Sequence, residues 1–441
     1  MKIKFINARI FTLNDYDENN HYKILDNHNL IIKDNKIAFI GDNDALKKYE
    51  SNSDYDIKYD RIIDSNKNLI MPTFKNAHTH SAMTFLRSYA DDLELLTWLG
   101  KVQPLERKLN DDDIYYLTIL AIMEYLSSGT SYCADMFYHY DAMAKAIIDT
   151  GFRASLVCSV SSNNDINDLE QEYLRYTNMP NDKDNLLDYK MGLHSEYTNT
   201  LEHIKCASEI LHKYKEPFFT HLSETKTETD ACIERYNMTP AKLFDYYGLF
   251  DFGGAGYHSV YLNDEDIEIY KKHNISVVTN PCSNLKLASG IAPIKKYIDN
   301  GINISIGTDG PASNNALDMF REMYLVSCLS KVTTKRPDSI HVDNVFDMAI
   351  KNPAILYGKD NTSCLKVGNL ADIQVIDLSK PNMQPINNIL SNIIYSGDKT
   401  NVKMTLVNGK ILYEDGRFNI GIDEYEVYNR CNLILSRIKE S

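Results

Sequence analysis

The sequence predicts an α/β chain: a TIM-like (β/α)8 barrel, with a small β-sandwich domain formed from both chain ends. Three observations predict it. Short apolar runs alternate with helical stretches through the middle of the chain, the pattern of parallel strands joined by crossover helices. Turn-punctuated strand pairs occupy the first 70 or so residues and return near the end. Five histidines fall at the ends of the apolar runs.

In chain order, the first strands are "KIKFINARIFTL" and "NLIIKDNKIAFIGD", where Asp34-Asn35 makes a turn between two apolar runs. Eight runs follow: "NLIMPTF", "TSYCADM", "FRASLVCSV", "DYKMGLH", "EPFFTH", "GAGYHSV", "ISVVTN" and "INISIGTD". Between them lie helices such as "TLEHIKCASEILHKYK", whose Ile204, Ala207, Leu211 and Tyr214 share one face. Near the end, "GNLADIQVIDLS" and "VKMTLVNGKILYEDGRF" are again strand pairs, the second with the hairpin signal Asn408-Gly409. Neither terminal piece buries a core well alone, so the two are expected to pair. The expected division is 1–68 for the first part of the β-sandwich, 69–364 for the barrel, and 365–441 for the second part with a C-terminal helix.

With 441 residues the chain can bury a large core without staples. The eight cysteines are scattered singly, which indicates neither a disulfide framework nor a thiolate zinc site. No run approaches the roughly 18 apolar residues that span a bilayer, and the start turns polar too soon for a secretory signal. A cytoplasmic protein with no membrane partner is expected. The net charge of -14 argues against a nucleic-acid polymer as partner, since such binders cluster Lys and Arg. A small-molecule substrate fits better.

In a barrel, catalytic groups sit at the C-terminal ends of the strands. His78 and His80 follow the first run, His194 ends the fourth, His221 the fifth, His258 the sixth and Asp309 the eighth. Alternate residues on an extended chain face one side, so His78 and His80 can face one point. Alone, this His-x-His is a weak signal. With His221 and Asp309 opening on the same face, the four can converge on one divalent ion, with nitrogen and oxygen donors suited to zinc or ferrous iron.

Glu224, three residues after His221, is placed to move protons for a water acidified by that ion, although a glutamate also suits a helix N-terminus on dipole grounds. His258, in the small-residue stretch "GYHSV", reads as a polarising group beside the same water. The remaining histidines (21, 28, 139, 203, 212, 273 and 341) read as surface or structural.

The motifs "MPTFKNAHTHSAMTFLRSYADDLELLTWL", "HLSET", "NPCSNLKLASGIAPI" and "GTDGPASNNALDMFREM" together resemble the amidohydrolase superfamily. Within it the chain resembles the group of S-adenosylhomocysteine/5'-methylthioadenosine deaminases and triazine chlorohydrolases. The resemblance covers essentially the whole chain. It implies one metal ion on His78, His80, His221 and Asp309, Glu224 as proton shuttle, His258 and Asp309 beside the nucleophile, and frequently a homo-oligomer. It also implies Glu106 in "QPLER" at the ribose position, His194 in "GLHSEYT" as a pocket histidine, and Trp98 near the substrate.

Two departures from the group's pattern bear on the substrate. The chain reads "HSEY" where relatives commonly carry His-x-Pro-Tyr, which is expected to add the charge of Glu196 near the pocket. It reads "LVCSVSSNND" after the third strand, where an arginine would grip an amino-acid carboxylate. A homocysteine tail without a cation is poorly paired.

The expected activity is hydrolytic deamination of adenine nucleosides: 5'-methylthioadenosine, adenosine, 5'-deoxyadenosine or S-adenosylhomocysteine. Alternatives are deamination of guanine or another aminated heterocycle, a triazine-chlorohydrolase-like reaction, and, remotely, a non-catalytic binding protein on the same fold. The cytidine-deaminase zinc signature is absent, because Pro281-Cys282-Ser283-Asn284-Leu285 lacks the second cysteine.

Overall fold

The computed structural model describes residues 1–51, 58–177, 179 and 182–440, which cluster into two compact units. The first comprises Met1–Lys75, Met123–Ser131 and Val342–Ile420; the second comprises Asn76–Ile122, Tyr132–His341 and Gly421–Ser441.

The first unit holds a nine-stranded mixed sheet to which both chain ends contribute. The long strand Lys2–Tyr16 runs antiparallel to Tyr22–Lys33 and parallel to Leu69–Pro72. Leu69–Pro72 pairs antiparallel with Ile373–Ile376, and this ladder joins the two chain ends. Alternation buries Ile3, Phe5, Leu30, Ile32, Ile373 and Leu406 in a common apolar core. The Asn408-Gly409 turn closes the hairpin from Val402–Val407 to Lys410–Glu414, with φ of 51° and 76°, as a tight primed turn requires.

The second unit holds most of the barrel. Its strands are Phe74–Thr79, Thr130–Met136, Arg153–Val157, a fourth in two pieces (Leu187–Lys190 and Gly192–Ser195), Phe218–Leu222, Gly254–His258, Ile275–Thr279 and Ile304–Ile306. Successive strands pair in parallel. The fourth is one path through Met191, whose carbonyl accepts from Phe219 N–H. A side chain at Gly192 would meet the Phe219 carbonyl at 2.3 Å, so only glycine lets the strands approach there.

Side chains complete the seam between the eighth and first strands. Thr308 N–H donates to Asn76 Oδ1 (2.8 Å), Asn76 Nδ2 donates to Thr308 Oγ1 (2.7 Å), and Asp309 N–H donates to the His78 carbonyl (3.0 Å). A Cβ at Gly307 would lie 2.8 Å from His78 N, so the seam needs glycine there.

The run "NLIMPTF" divides. Leu69–Pro72 belongs to the mixed sheet and the barrel strand begins at Phe74, so His78 lies within the strand and His80 just beyond it. Both halves are apolar, and hydrophobicity alone marks no boundary between them.

The helix Leu201–Tyr214 buries Ile204, Ala207, Ile210 and Leu211, and Thr200 caps it by accepting from His203 N–H. The C-terminal helix Glu424–Glu440 belongs to the second unit, where Glu426 accepts from Tyr116 Oη (3.0 Å) and Arg437 pairs with Asp113. All eight cysteines are free thiols. Among the described residues no helix is long and apolar enough to cross a membrane.

Candidate metal centre

Strand alternation delivers His78 inward from the first strand and the end of that strand delivers His80. The fifth strand delivers His221, and the turn after the eighth delivers Asp309. Each offers one donor atom, and the four atoms lie within 4.8 Å of one another. His80 Nε2 is 3.2 Å from Asp309 Oδ1 and 3.3 Å from His221 Nε2, while His78 Nε2 is 3.5 Å from the same carboxylate oxygen.

The supporting contacts fix which ring nitrogen faces inward. His221 Nδ1 donates to the His194 carbonyl at 2.7 Å, and His80 Nδ1 donates to the Met136 carbonyl. Each leaves its Nε2 lone pair for the centre. Asp309 Oδ2 accepts from Ser283 Oγ (2.6 Å) and Ser313 Oγ (2.7 Å), which turns Oδ1 towards the imidazoles. His258 Nδ1 donates to Asn284 Oδ1 at 2.7 Å.

His258 and Asp309 adopt left-handed backbone conformations, with φ of 67° and 60°. Such strain in non-glycine residues persists only where the surroundings over-determine it.

His78 tests whether the cluster fits an ion. Its side chain is fully buried, and neither ring nitrogen has a hydrogen-bond partner. A buried imidazole without partners is costly, and a divalent ion satisfies it. Burial lowers His78 to about 3, and burial with neighbouring imidazoles holds His221 well below its usual range. Both are therefore neutral and ligand-ready. Burial favours neutral Asp309, but the imidazoles of His78 and His80 close to its Oδ1 outweigh it and hold the carboxyl well below its usual range. Three imidazoles and a carboxylate suit a divalent metal.

Glu224 and His258 stand beside this cluster, with His258 Nε2 3.7 Å from Glu224 Oε2. Glu224 follows Ser223, whose φ is 49°. The Glu228 carboxylate holds both backbones, accepting from Ser223 N–H (3.0 Å) and Glu224 N–H (2.8 Å). Ser289 Oγ donates to Glu224 Oε1 at 3.1 Å. Burial raises the Glu224 carboxyl above its ordinary value.

A cavity of about 550 Å3 opens over the cluster. His80, His194, His221, Glu224, His258 and Asp309 line it, with Trp98 and Glu106 from the helix Leu95–Glu106. His78 lies outside this lining, completely buried. Burial raises Glu106 to about 7 and lowers His194 to about 3. Trp98 is buried with its Nε1 unpartnered.

Glu196 departs from expectation. It does not line the cavity; its buried carboxylate takes two hydrogen bonds from Arg235 Nη2, at 2.8 and 2.7 Å. The strand end carries its charge away from the site and neutralises it. Ser283, Asn284, Ser289 and Ser313 were not singled out from the sequence, although they lie in the quoted motifs "NPCSNLKLASGIAPI" and "GTDGPASNNALDMFREM". Their short polar side chains matter only through what folding brings beside them.

A family model described as "Amidohydrolase family" matches residues 69–412. A 5-methylthioadenosine/S-adenosylhomocysteine deaminase of Caldicellulosiruptor saccharolyticus is 37% identical over 418 residues, covering 93% of this chain and 94% of that protein. A 5'-deoxyadenosine deaminase of Methanosarcina acetivorans is 36% identical over 408 residues, 91% of either chain. Among solved structures, an adenosine deaminase from Xanthomonas campestris with bound zinc superposes with a TM-score of 0.90 at 24% identity, over 100% of this chain and 99% of that one.

Proposed function

The chain belongs to the amidohydrolase family and is a metal-dependent hydrolase, and we propose that its reaction is hydrolytic deamination of adenine nucleosides. The observation that carries this is the buried Glu224–His258 pair beside three imidazoles and a carboxylate, in a cavity that presents Glu106 on another wall. The names of the deaminase relatives support the substrate class.

We assign His78, His80, His221 and Asp309 as ligands of one ion. Zinc is the assignment over iron, because three imidazoles and one carboxylate suit its tetrahedral preference. When bound, the ion supplies Lewis acidity and brings the pKa of an attacking water towards neutrality.

The protein's own groups then account for the proton movements. Glu224, whose carboxyl burial raises above its ordinary value, is assigned to deliver a proton to the ring nitrogen next to the amine-bearing carbon. With Nδ1–H committed to Asn284, His258 presents Nε2 as an acceptor for a proton from the attacking water. Asp309, fixed by two serine hydroxyls, orients that water. A carbon–oxygen bond forms, the proton of the new hydroxyl passes through Glu224 to the amine, the carbon–nitrogen bond breaks with release of ammonia and formation of the carbonyl, and the proton held by His258 returns to Glu224. Glu106 is assigned to the ribose hydroxyls, and His194 and Trp98 to the substrate ring and its surroundings.

The test is ammonia release from zinc-loaded protein with adenosine, 5'-deoxyadenosine, 5'-methylthioadenosine, S-adenosylhomocysteine and guanine, read with the ultraviolet change as amine becomes carbonyl. Turnover of the adenine nucleosides is expected. Turnover of guanine alone, or of none, overturns the reading.

A further inference from the structure

The reacting groups are held by side chains on two short segments. Ser283, on Asp309, and Asn284, on His258, belong to the short helix Pro281–Lys286 after the seventh strand. Ser313, also on Asp309, lies in the turn after the eighth. A hydroxyl or amide orients its partner only as firmly as its own backbone is held. Nothing in the reaction assigned above says what holds these backbones.

One side chain grips both segments. Glu322 lies in the first turn of the helix Met319–Thr334 and is completely buried. Its Oε2 accepts at 3.0 Å from the N–H of Cys282, the residue before Ser283. Its Oε1 accepts at 2.7 Å from Nδ2 of Asn314, the residue after Ser313. The same Nδ2 donates to the carbonyl of Thr308 at 2.6 Å, next to Asp309. A carbonyl only accepts, so the Asn314 amide is fixed with its NH2 towards both oxygens. Glu322 therefore meets a donor at each end of its carboxyl group.

A glutamate in the first turn of a helix is ordinary on dipole grounds. Glu322 is turned instead to residues 40 and 8 positions earlier in the chain. Burying a carboxyl group is costly, and an apolar residue would fill the same space without that cost. What the carboxyl group adds is a bridge between the two segments.

We infer that Glu322 is a positioning residue that fixes Asp309 and His258 together, by clamping the two segments whose side chains hold them. Through Cys282 it sets Ser283 and Asn284, and so one hydroxyl on Asp309 and the acceptor for His258 Nδ1–H. Through Asn314 it sets Ser313, the second hydroxyl on Asp309. Glu322 itself does not line the cavity. The inference rests on the roles assigned above to Asp309 as a ligand and His258 as a proton acceptor.

The experiment uses Glu322→Gln, which keeps length and shape but offers one acceptor, so its NH2 opposes either Cys282 N–H or the Asn314 NH2. Zinc affinity is read by chelator competition, the ligand set by the visible spectrum of the cobalt-substituted protein, and turnover by kcat and KM for 5'-methylthioadenosine. Zinc should be held about tenfold to a hundredfold more weakly, and the cobalt bands should shift. Turnover should split, with kcat falling by a similar factor and KM staying within about twofold. A merely structural glutamate would lower the unfolding midpoint and move none of these. Zinc affinity and kcat within about twofold of wild type, with an unaltered cobalt spectrum, overturn the inference. Asn314→Ala opens only the Ser313 arm and carries the test if Glu322→Gln does not fold. It should weaken zinc about threefold to tenfold and shift the cobalt bands, and unchanged values overturn the inference equally. If wild type deaminates no nucleoside, the deaminase reading fails separately, and zinc affinity with the cobalt spectrum decides the role of Glu322.

Discussion

His258 Nε2 lies 3.7 Å from Glu224 Oε2, with both side chains almost wholly withdrawn from solvent. In the proposed reaction the pair supplies a proton acceptor and a proton donor side by side at the ends of neighbouring strands, each with one polar atom tied down, to Asn284 and Ser289 respectively. That is the arrangement needed when one proton must be taken and another given at a single carbon.

Glu224→Gln keeps the shape of the site and removes the proton. It should retain a full equivalent of metal, measured by plasma mass spectrometry, while kcat falls by about 10²–10⁴-fold. Turnover within about threefold of wild type would take Glu224 out of the chemistry.

Ser283→Ala removes one of the two hydroxyls that orient Asp309. Second-layer partners of metal ligands typically matter about 10–100-fold in affinity or rate. Competition with a chromophoric chelator should show zinc held more weakly by that order, with melting of the metal-free protein changed far less. Unchanged affinity would mean that Ser313 suffices to hold the carboxylate.

Glu106 gives a pH dependence of stability. Burial raises its carboxyl from 4.5 to about 7 in the folded protein. Between those values the unfolded chain has lost the proton that the native state keeps, so stability falls as pH rises through this window. Glu106→Gln removes this term. The variant's advantage over wild type, measured by denaturant unfolding of metal-free protein, should grow between pH 5 and 8 by on the order of 3 kcal/mol. A constant difference across that range would show that the carboxyl titrates normally.

Arg235→Met leaves the buried Glu196 carboxylate without its partner. Removing one member of a buried pair costs about 3–5 kcal/mol, and the half-exposed Arg235 places this case near the lower figure. Pairing the change with Glu196→Gln should recover much of the loss. Urea unfolding of the two single variants and the double variant reads the coupling; additive losses would show that the pair contributes nothing.

The barrel and its metal donors were legible in the sequence because barrel geometry turns a one-dimensional feature, the end of an apolar run, into a shared face. His221 and Asp309 could thus be joined to His78 and His80 across the intervening chain. The ligand-orienting contacts were not legible. Ser283, in the short helix Pro281–Lys286, and Ser313, in the turn after Asp309, flank the carboxylate, and a serine carries no pattern that announces its acceptor. Glu196 misled because proximity to His194 in sequence suggested proximity to the cavity, whereas its partner Arg235 lies 39 positions further on.

The seam between Asn76 and Thr308 joins positions 232 apart. On a chain made from its N-terminus, His78 and His80 emerge early, His221 midway and Asp309 only when most of the protein exists. The donor that completes the cluster is therefore also next to the residue that locks the last strand to the first. The four donors come together only in a molecule whose last barrel strand lies against its first.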